Sequence, residues 1–589
     1  MVEEEFKNIE DTQSVFLGQL LSGNNKVFEI PLFQRNYDWS LDNCRELYDD
    51  IMSSYEVKQN YFIGIFIYYN VKATTNKTLN ILIDGQQRLT TLMLLLCAIR
   101  DVTKNDKVKK KINKTFIMNS NNSVRYRFKL KQNNFDNANF ESILDNKLDD
   151  IDENSKIYIT YCNFVAWLND DIKHLNVMEL LSHIENLEAV EVVLNNEDIQ
   201  NVQKIFEKMN STGKELSPAD LIRNYLLFTG DTREQKELYE KWTCIERIVK
   251  LDNVMQFVRS YTIKCSFENV TKRKTYADFK KQFAGRKHKK ILDDMIKYAV
   301  YYAMIKQNVH YKYDSQYNIS TVNDIDKYTI NTLKMLDVLG SDDLVPLFMQ
   351  LYDRLFNNNK KALGEILELL LEFMIRYRVV KPSSGGGALQ RKLYSLMKKI
   401  DKRQCQPTAK AIYKVLSTFD SDASRYPDDT QFLSDLKGNM LPKNGRVLLY
   451  QYARRRKYEI KDFDDDITLE HLMPQTIEAG TKNGNWWISA LGGSTDCEKI
   501  REKYTECIGN YALLTRSLNA SISNGPWDKK RKAILERAFD VETRNAAEEK
   551  KWNEETIKNR NSKLANEIRQ YITGPASDNK RTNKWLVSK

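Results

Sequence analysis

Residues 467–476 read ITLEHLMPQT, and residues 507–531 read CIGNYALLTRSLNASISNGPWDKKR. The first string opens as a short β-type run, Ile467-Thr468-Leu469, closed by Glu470-His471, and Pro474 stops regular structure soon after. The second carries Asn510 in another short apolar run and Asn519 just before a helical segment. The expected order is strand, loop, strand, helix. Of five histidines (His174, His183, His288, His310 and His471), one stands here directly after an acid. A chance Glu-His pair with turn-forming asparagines would also give these letters.

Taken in order, an acid, a His and two Asn on such a scaffold resemble the ββα-metal constellation of HNH nucleases. The wording is similar to the HNH domain of RNA-guided CRISPR nucleases. That resemblance implies roles for residues here. A histidine's unperturbed pKa of about 6.5 suits proton transfer near neutral pH, so His471 would take the proton of the attacking water. Glu470 and the amide oxygen of Asn519 would hold Mg²⁺ or Mn²⁺, hard cations that take oxygen donors. Asn510 would orient the imidazole from behind, and Lys530 would meet a phosphate. The acid is Glu, where the nuclease pattern often has Asp.

Composition sets the surroundings. At 589 residues the chain is long enough for two or three domains. No apolar run reaches the length of a membrane span, and the start, MVEEEF, carries no signal-peptide pattern. Eight cysteines are scattered without a C-x-x-C pair, so neither a disulfide framework nor a zinc knuckle is indicated, and a reducing cytoplasm fits. Net charge is +11, and residues 501–589 hold 19 Lys and Arg against 12 Asp and Glu. The positive excess thus lies largely at the end with the acid-His string and suits a polyanion.

From the amino terminus, residues 1–26 read as one amphipathic helix, with Phe6, Ile9, Val15, Phe16, Leu20 and Leu21 near helical spacing. A strand at Val27–Ile30 leads into IPLFQRNYDWS, which places Gln34-Arg35 in a loop and Ser40 at a helix N-cap. YFIGIFIYY (Tyr61–Tyr69) and LNILI (Leu79–Ile83) are strands, and Asp84-Gly85-Gln86-Gln87-Arg88 turns the second into an apolar helix. A strand, a turn and a helix N-terminus can cradle phosphate. Arg88 would then make a bidentate contact, Asp84 a metal or ribose contact, and the glutamines amide hydrogen bonds; a capped helix start is the plainer alternative. Further on, Ser217-Pro218-Ala219-Asp220 is a helix start with Pro at its first position, after an Asn210–Gly213 turn. Residues 231–430 read as helix after helix around a linker-like Lys381–Gly387. Arg454-Arg455-Arg456-Lys457 could grip DNA phosphates or complement a helix dipole. The tail from Gly574 is expected to fray.

IPLFQRNYDWS, YFIGIFIYY, IDGQQRLTTL and Ile205–Phe228 resemble, in that order, the ParB/sulfiredoxin-like domain formerly listed as domain of unknown function 262. The carboxyl-terminal strings are similar to the HNH domain formerly listed as domain of unknown function 1524. Together they resemble the GmrSD family of type IV, modification-dependent restriction enzymes, fused in one chain. The resemblance implies an α+β, mostly helical protein. Residues 1–230 would be a ParB/sulfiredoxin-like domain with a helical insertion, 231–430 an α-helical coupling region, and 431–589 the HNH domain. It implies that the first domain binds and hydrolyses a nucleoside triphosphate (GTP, UTP or another) through Gln34, Arg35, Asp84, Gly85, Gln86, Gln87 and Arg88, and helps sense modified DNA. The last domain would cut or nick double-stranded DNA, either modified phage DNA or host DNA marked by phosphorothioate. A homodimer is one candidate assembly, and the rival of another class is a non-catalytic DNA-binding sensor.

Overall fold

The computed structural model describes residues 9–22, 26–74, 77–119, 126–133, 136–171, 174–195, 202, 205, 216–229, 232–381, 387–418 and 424–574. The chain forms two compact units, one of Met1–Thr243 with Gly285–Leu292 and one of Cys244–Ala284 with Asp293–Lys589. The helices between 293 and 430 therefore belong to the same unit as the acid-His string. Among the described residues no helix is long and apolar enough to cross a membrane.

The first unit is built on a six-stranded mixed sheet. Its strands are β1 (Ile9–Phe16), β2 (Lys26–Glu29), β3 (Phe62–Thr74), β4 (Lys77–Asp84), β5 (Leu130–Lys131) and β6 (Glu188–Leu194), in the order β1-β6-β3-β4-β2-β5. The β-branched and aromatic run of β3 pairs antiparallel with β4 and parallel with β6. Helix Gln86–Val102 starts straight from β4 and is buried all round; Leu89 and every residue from Leu92 to Ile99 are at most 2% exposed. Ser40 caps helix Leu41–Val57 through the Asn43 amide, and Ser217 and Asp220 form a reciprocal capping box on helix Pro218–Leu227. Residues 210–213 and 382–386 lie outside the described residues.

Among the described residues of the stretch 1–26, the expected amino-terminal helix is not formed. Residues 9–16 are instead the edge strand β1, antiparallel to β6, and a single helical turn, Leu17–Leu20, follows. Of the described residues with helical spacing, only Leu20 and Leu21 are buried, beside Leu17. Backbone pairing with a distant strand outweighs a weak local periodicity.

The second unit packs helices around Lys360–Val380, whose residues 366–377 are all buried. A hairpin of β7 (His310–Tyr313) and β8 (Ile319–Val322) lies in the same unit. Arg376, fully buried, donates to the carbonyls of Pro427 and Ile572 and pairs with Asp429 at 2.7 Å. The Gly574 carbonyl accepts from Tyr413 (2.8 Å), and a Cβ at Gly574 would lie 2.3 Å from the Arg376 guanidinium. The chain is therefore anchored through Gly574, where fraying was expected to begin; residues 575–589 lie outside the described residues. In this unit β9 (Ile467–His471) pairs antiparallel with β10 (Tyr511–Thr515), and helix Arg516–Ile522 follows at once.

Candidate nuclease site

The β9–β10 register sets Glu470 opposite Ala512 and His471 opposite Tyr511. Successive strand residues face opposite ways, so Thr468 and Glu470 share one face, and His471 closes the strand at its end. Thr515 caps the following helix through the Leu518 amide, and the Arg516 amide donates to the Asp466 carbonyl at 2.7 Å. The helix thus begins at the strand end, and Asn519 folds back over β9. Its Nδ2 donates to Thr468 Oγ1 (2.9 Å) and the Leu469 carbonyl (3.3 Å), which leaves its Oδ1 for another partner.

Glu470 is 9% exposed, and Lys530, 0% exposed, donates from Nζ to Glu470 Oε1 at 2.5 Å and to the His471 carbonyl at 2.9 Å. Burial pushes the Glu470 carboxyl up and the Lys530 ammonium down, while their contact opposes both shifts. Lys530 is therefore the buried partner of Glu470 and not the exposed phosphate contact expected.

Asn510 is also displaced from its expected role. Its Oδ1 accepts from the Met473 amide (2.7 Å) and Trp552 Nε1 (3.2 Å), and its Nδ2 donates to the carbonyls of Met473 (2.9 Å) and Thr505 (3.0 Å). Fully buried, it ties down the turn after His471, and its side-chain hydrogen bonds go to Met473, Thr505 and Trp552 and not to the ring. The imidazole is held by Glu506, whose Oε2 lies 3.1 Å from His471 Nε2, and meets Tyr511 edge-on with centroids 5.2 Å apart. Burial would raise the Glu506 carboxyl, but hydrogen bonds from Tyr511, Gln475 and His471 outweigh it and hold the group below its ordinary range. Sequence reasoning missed Glu506, which stands one residue before the second string.

Two strands, a helix laid over the first strand, and an acid-His pair at that strand's end are now in place. Residues 17–227 match the family model described as GmrSD restriction endonuclease, N-terminal domain, and residues 426–567 match that of GmrSD restriction endonucleases, C-terminal domain. The chain belongs to the GmrSD restriction endonuclease family. No curated protein matches it significantly. Glu470, His471, Glu506, Asn510, Asn519 and Lys530 all fall within the GmrSD carboxyl-terminal match, and Gln34 to Arg88 within the amino-terminal one.

In the GmrSD amino-terminal domain the structure gathers the glutamines. Gln34 donates to the Ile83 carbonyl (2.9 Å) and accepts from Gln86 (3.1 Å); Gln87 accepts from the Asp38 amide (2.7 Å) and donates to the Asn36 carbonyl (3.2 Å). Gln86 Oε1 and Arg35 Nε are buried with no hydrogen-bond partner among the described residues. Gly85, at φ +91°, is left-handed, and a Cβ there would meet the Phe66 ring at 2.6 Å. Asp84 keeps a side chain 43% exposed. Arg88 differs from expectation: its two terminal nitrogens donate to the Ile63 (2.8 Å) and Ile65 (3.1 Å) carbonyls of β3, with Asp84 at 3.9 Å. It latches the helix to the sheet, and the fork expected for phosphate is occupied by backbone.

The GmrSD basic run is likewise turned inward. Arg454 donates to Gln451 (2.8 Å) and Thr332 (2.9 Å), Arg455 pairs with the buried Glu368 (3.1 Å) and Glu372 (2.9 Å), and Arg456 pairs with Glu567 (3.2 Å). These contacts bind helix Pro442–Arg455 to its own unit and engage the three arginines expected to grip DNA phosphates or complement the helix dipole. Only Lys457 is exposed.

A divalent cation is implied by the HNH resemblance. Among the described residues no three His, Cys, Asp or Glu side chains gather to hold a metal. The second Glu470 oxygen and Asn519 Oδ1 are hard oxygen donors and fit Mg²⁺ or Mn²⁺, which keep water and phosphate as further ligands.

Proposed function

We propose that this GmrSD-family chain is a nucleotide-dependent, modification-dependent DNA endonuclease whose cutting centre is His471 with Glu470 and Asn519. The observation that carries the reading is the ββα unit, in which helix Arg516–Ile522 brings Asn519 onto the β9 strand that ends in Glu470-His471. His471 would take a proton from a water molecule, whose oxygen forms a new bond to phosphorus as the bond to the departing deoxyribose oxygen breaks. A cation on Glu470 and Asn519 would supply charge stabilisation at the phosphate. Lys530 donates to Glu470 and opposes the upward push of burial on its carboxyl, and it fixes the end of β9 through the His471 carbonyl.

The amino-terminal cluster is proposed to bind the nucleoside triphosphate. The buried, unpartnered Gln86 Oε1 and Arg35 Nε support a polar ligand at the start of helix Gln86–Val102, beside the exposed carboxylate of Asp84. Gln34, Gln87, Gly85 and Arg88 shape that turn.

The test is to challenge the purified protein with unmodified, glucosylated and phosphorothioated plasmid of one sequence, with Mg²⁺ or Mn²⁺, with and without GTP or UTP. Cleavage confined to a modified plasmid and dependent on nucleotide is expected. Cleavage of the phosphorothioated plasmid alone would assign the chain to host-mark sensing. Binding without any cleavage would leave the non-catalytic sensor.

A further inference from the structure

The geometry points to Glu506 as the residue that positions His471, fixing its ring with Nε2 protonated and Nδ1 turned into the acceptor. This rests on the assignment of His471 as the base.

An imidazole can act as a base only through a nitrogen that carries no proton, and which nitrogen that is depends on what the other one bonds. Glu506 Oε2 lies 3.1 Å from His471 Nε2. A carboxylate can only accept, so this contact places the proton on Nε2 and the free lone pair on Nδ1. A long, half-exposed Glu would ordinarily wander, but this one is held on several sides. Gln475 Nε2 donates to Oε1 at 2.8 Å, and the Tyr511 hydroxyl lies 2.7 Å from Oε2. The Glu506 carbonyl accepts from the Met440 amide at 2.9 Å, which pins the backbone as well.

The ring also meets, edge-on, the same Tyr511, the cross-strand neighbour of His471. Tyr511 in turn needs Gly445, because a Cβ there would come within 2.4 Å of the tyrosine ring. The string EHLMPQ thereby gains a reason for its last letter: Gln475 braces the carboxylate that braces the histidine four residues before it. Asn510, which the string pattern offered for this task, fixes the backbone between them instead.

Two measurements test this. In protein labelled with ¹⁵N only at histidine, five imidazoles give a countable spectrum. One solvent-protected Nε2–H resonance should vanish in both His471→Gln and Glu506→Ala; its persistence in Glu506→Ala would overturn the assignment without reference to cleavage. The second is a double-mutant cycle in single-turnover cleavage of the plasmid the parent cuts. Glu506→Gln should slow cleavage about 10- to 100-fold, as loss of an orienting partner usually does, with DNA affinity within about twofold of parent. On a His471→Ala background the same change should cost nothing more, since no ring is left to position. A further loss there would mark Glu506 as merely structural. Gln475→Ala, an exposed change that loosens only the carboxylate, should show a smaller loss with the same non-additivity, and serves if Glu506→Gln fails to fold. His471→Ala cutting at the parent rate would remove the proposed function itself. A dead His471→Ala beside a fully active Glu506→Gln would remove only this inference.

Discussion

Replacing Lys530 by Met should destabilise the carboxyl-terminal unit sharply, and more so at high pH. Lys530 is fully buried, and its ammonium lies 2.5 Å from Glu470. At an effective dielectric constant near 20, attraction at that distance is about 6–7 kcal/mol, most of it offset by the cost of taking both charges out of water. Met keeps the length of the side chain but leaves the Glu470 carboxylate uncompensated, and breaking a buried pair from one side costs about 3–5 kcal/mol. The sign with pH follows from burial. Without the ammonium, burial alone raises the folded-state pKa of Glu470, so the folded state favours the protonated acid. The penalty should be smallest below the ordinary carboxylate pKa and grow as pH rises through the raised folded value. Unfolding is read by tryptophan fluorescence, since Trp487, Trp527 and Trp552 are buried in this core. The double variant Glu470→Gln/Lys530→Met should recover much of the loss. A Lys530→Met protein within about 1 kcal/mol of parent at pH 8 would refute a structural ion pair.

Three further outcomes are expected. His471→Ala should reduce cleavage by about 10²–10⁴-fold while nucleotide hydrolysis and DNA binding stay near parent levels, because only proton abstraction is lost; plasmid nicking and nucleotide turnover measured side by side check this. Gly64→Ala should destabilise the amino-terminal unit, because Gly64 sits at φ +101° and a Cβ would fall 1.4 Å from Arg88 Nη1; limited proteolysis should cut this unit faster than in the parent. Arg455→Ala strips two buried carboxylates of their partner and should lower the melting temperature, while the slope of DNA affinity against salt stays at the parent value.

Much of the architecture was legible before any tertiary contact. β3 and β4 follow from β-branched and aromatic runs, the helix after Gly85 from its unbroken apolar stretch, and two helix starts from Ser40 and from Ser217-Pro218. These are local properties: side-chain period, turn chemistry and capping act within a few residues. The ordered strings around Glu470, His471 and Asn519 likewise marked the ββα unit, because each of its strands is a short local apolar run and the helix follows β10 at once, although two helices, Lys482–Ala490 and Ser494–Tyr504, stand between the strands. What the letters could not supply was the partner of each polar side chain. β1 exists because β6 lies beside it, against its own helical spacing. Lys530, Arg455 and Arg456 were expected to meet phosphate, yet Lys530 pairs with Glu470, Arg455 with Glu368 and Glu372, and Arg456 with Glu567. Arg88 turns to two carbonyls of β3, and Glu506 reaches His471 from 35 residues away. A charged group takes whichever opposite charge or open acceptor the packed chain brings within about 3 Å, and that choice is made only when distant segments close on one another.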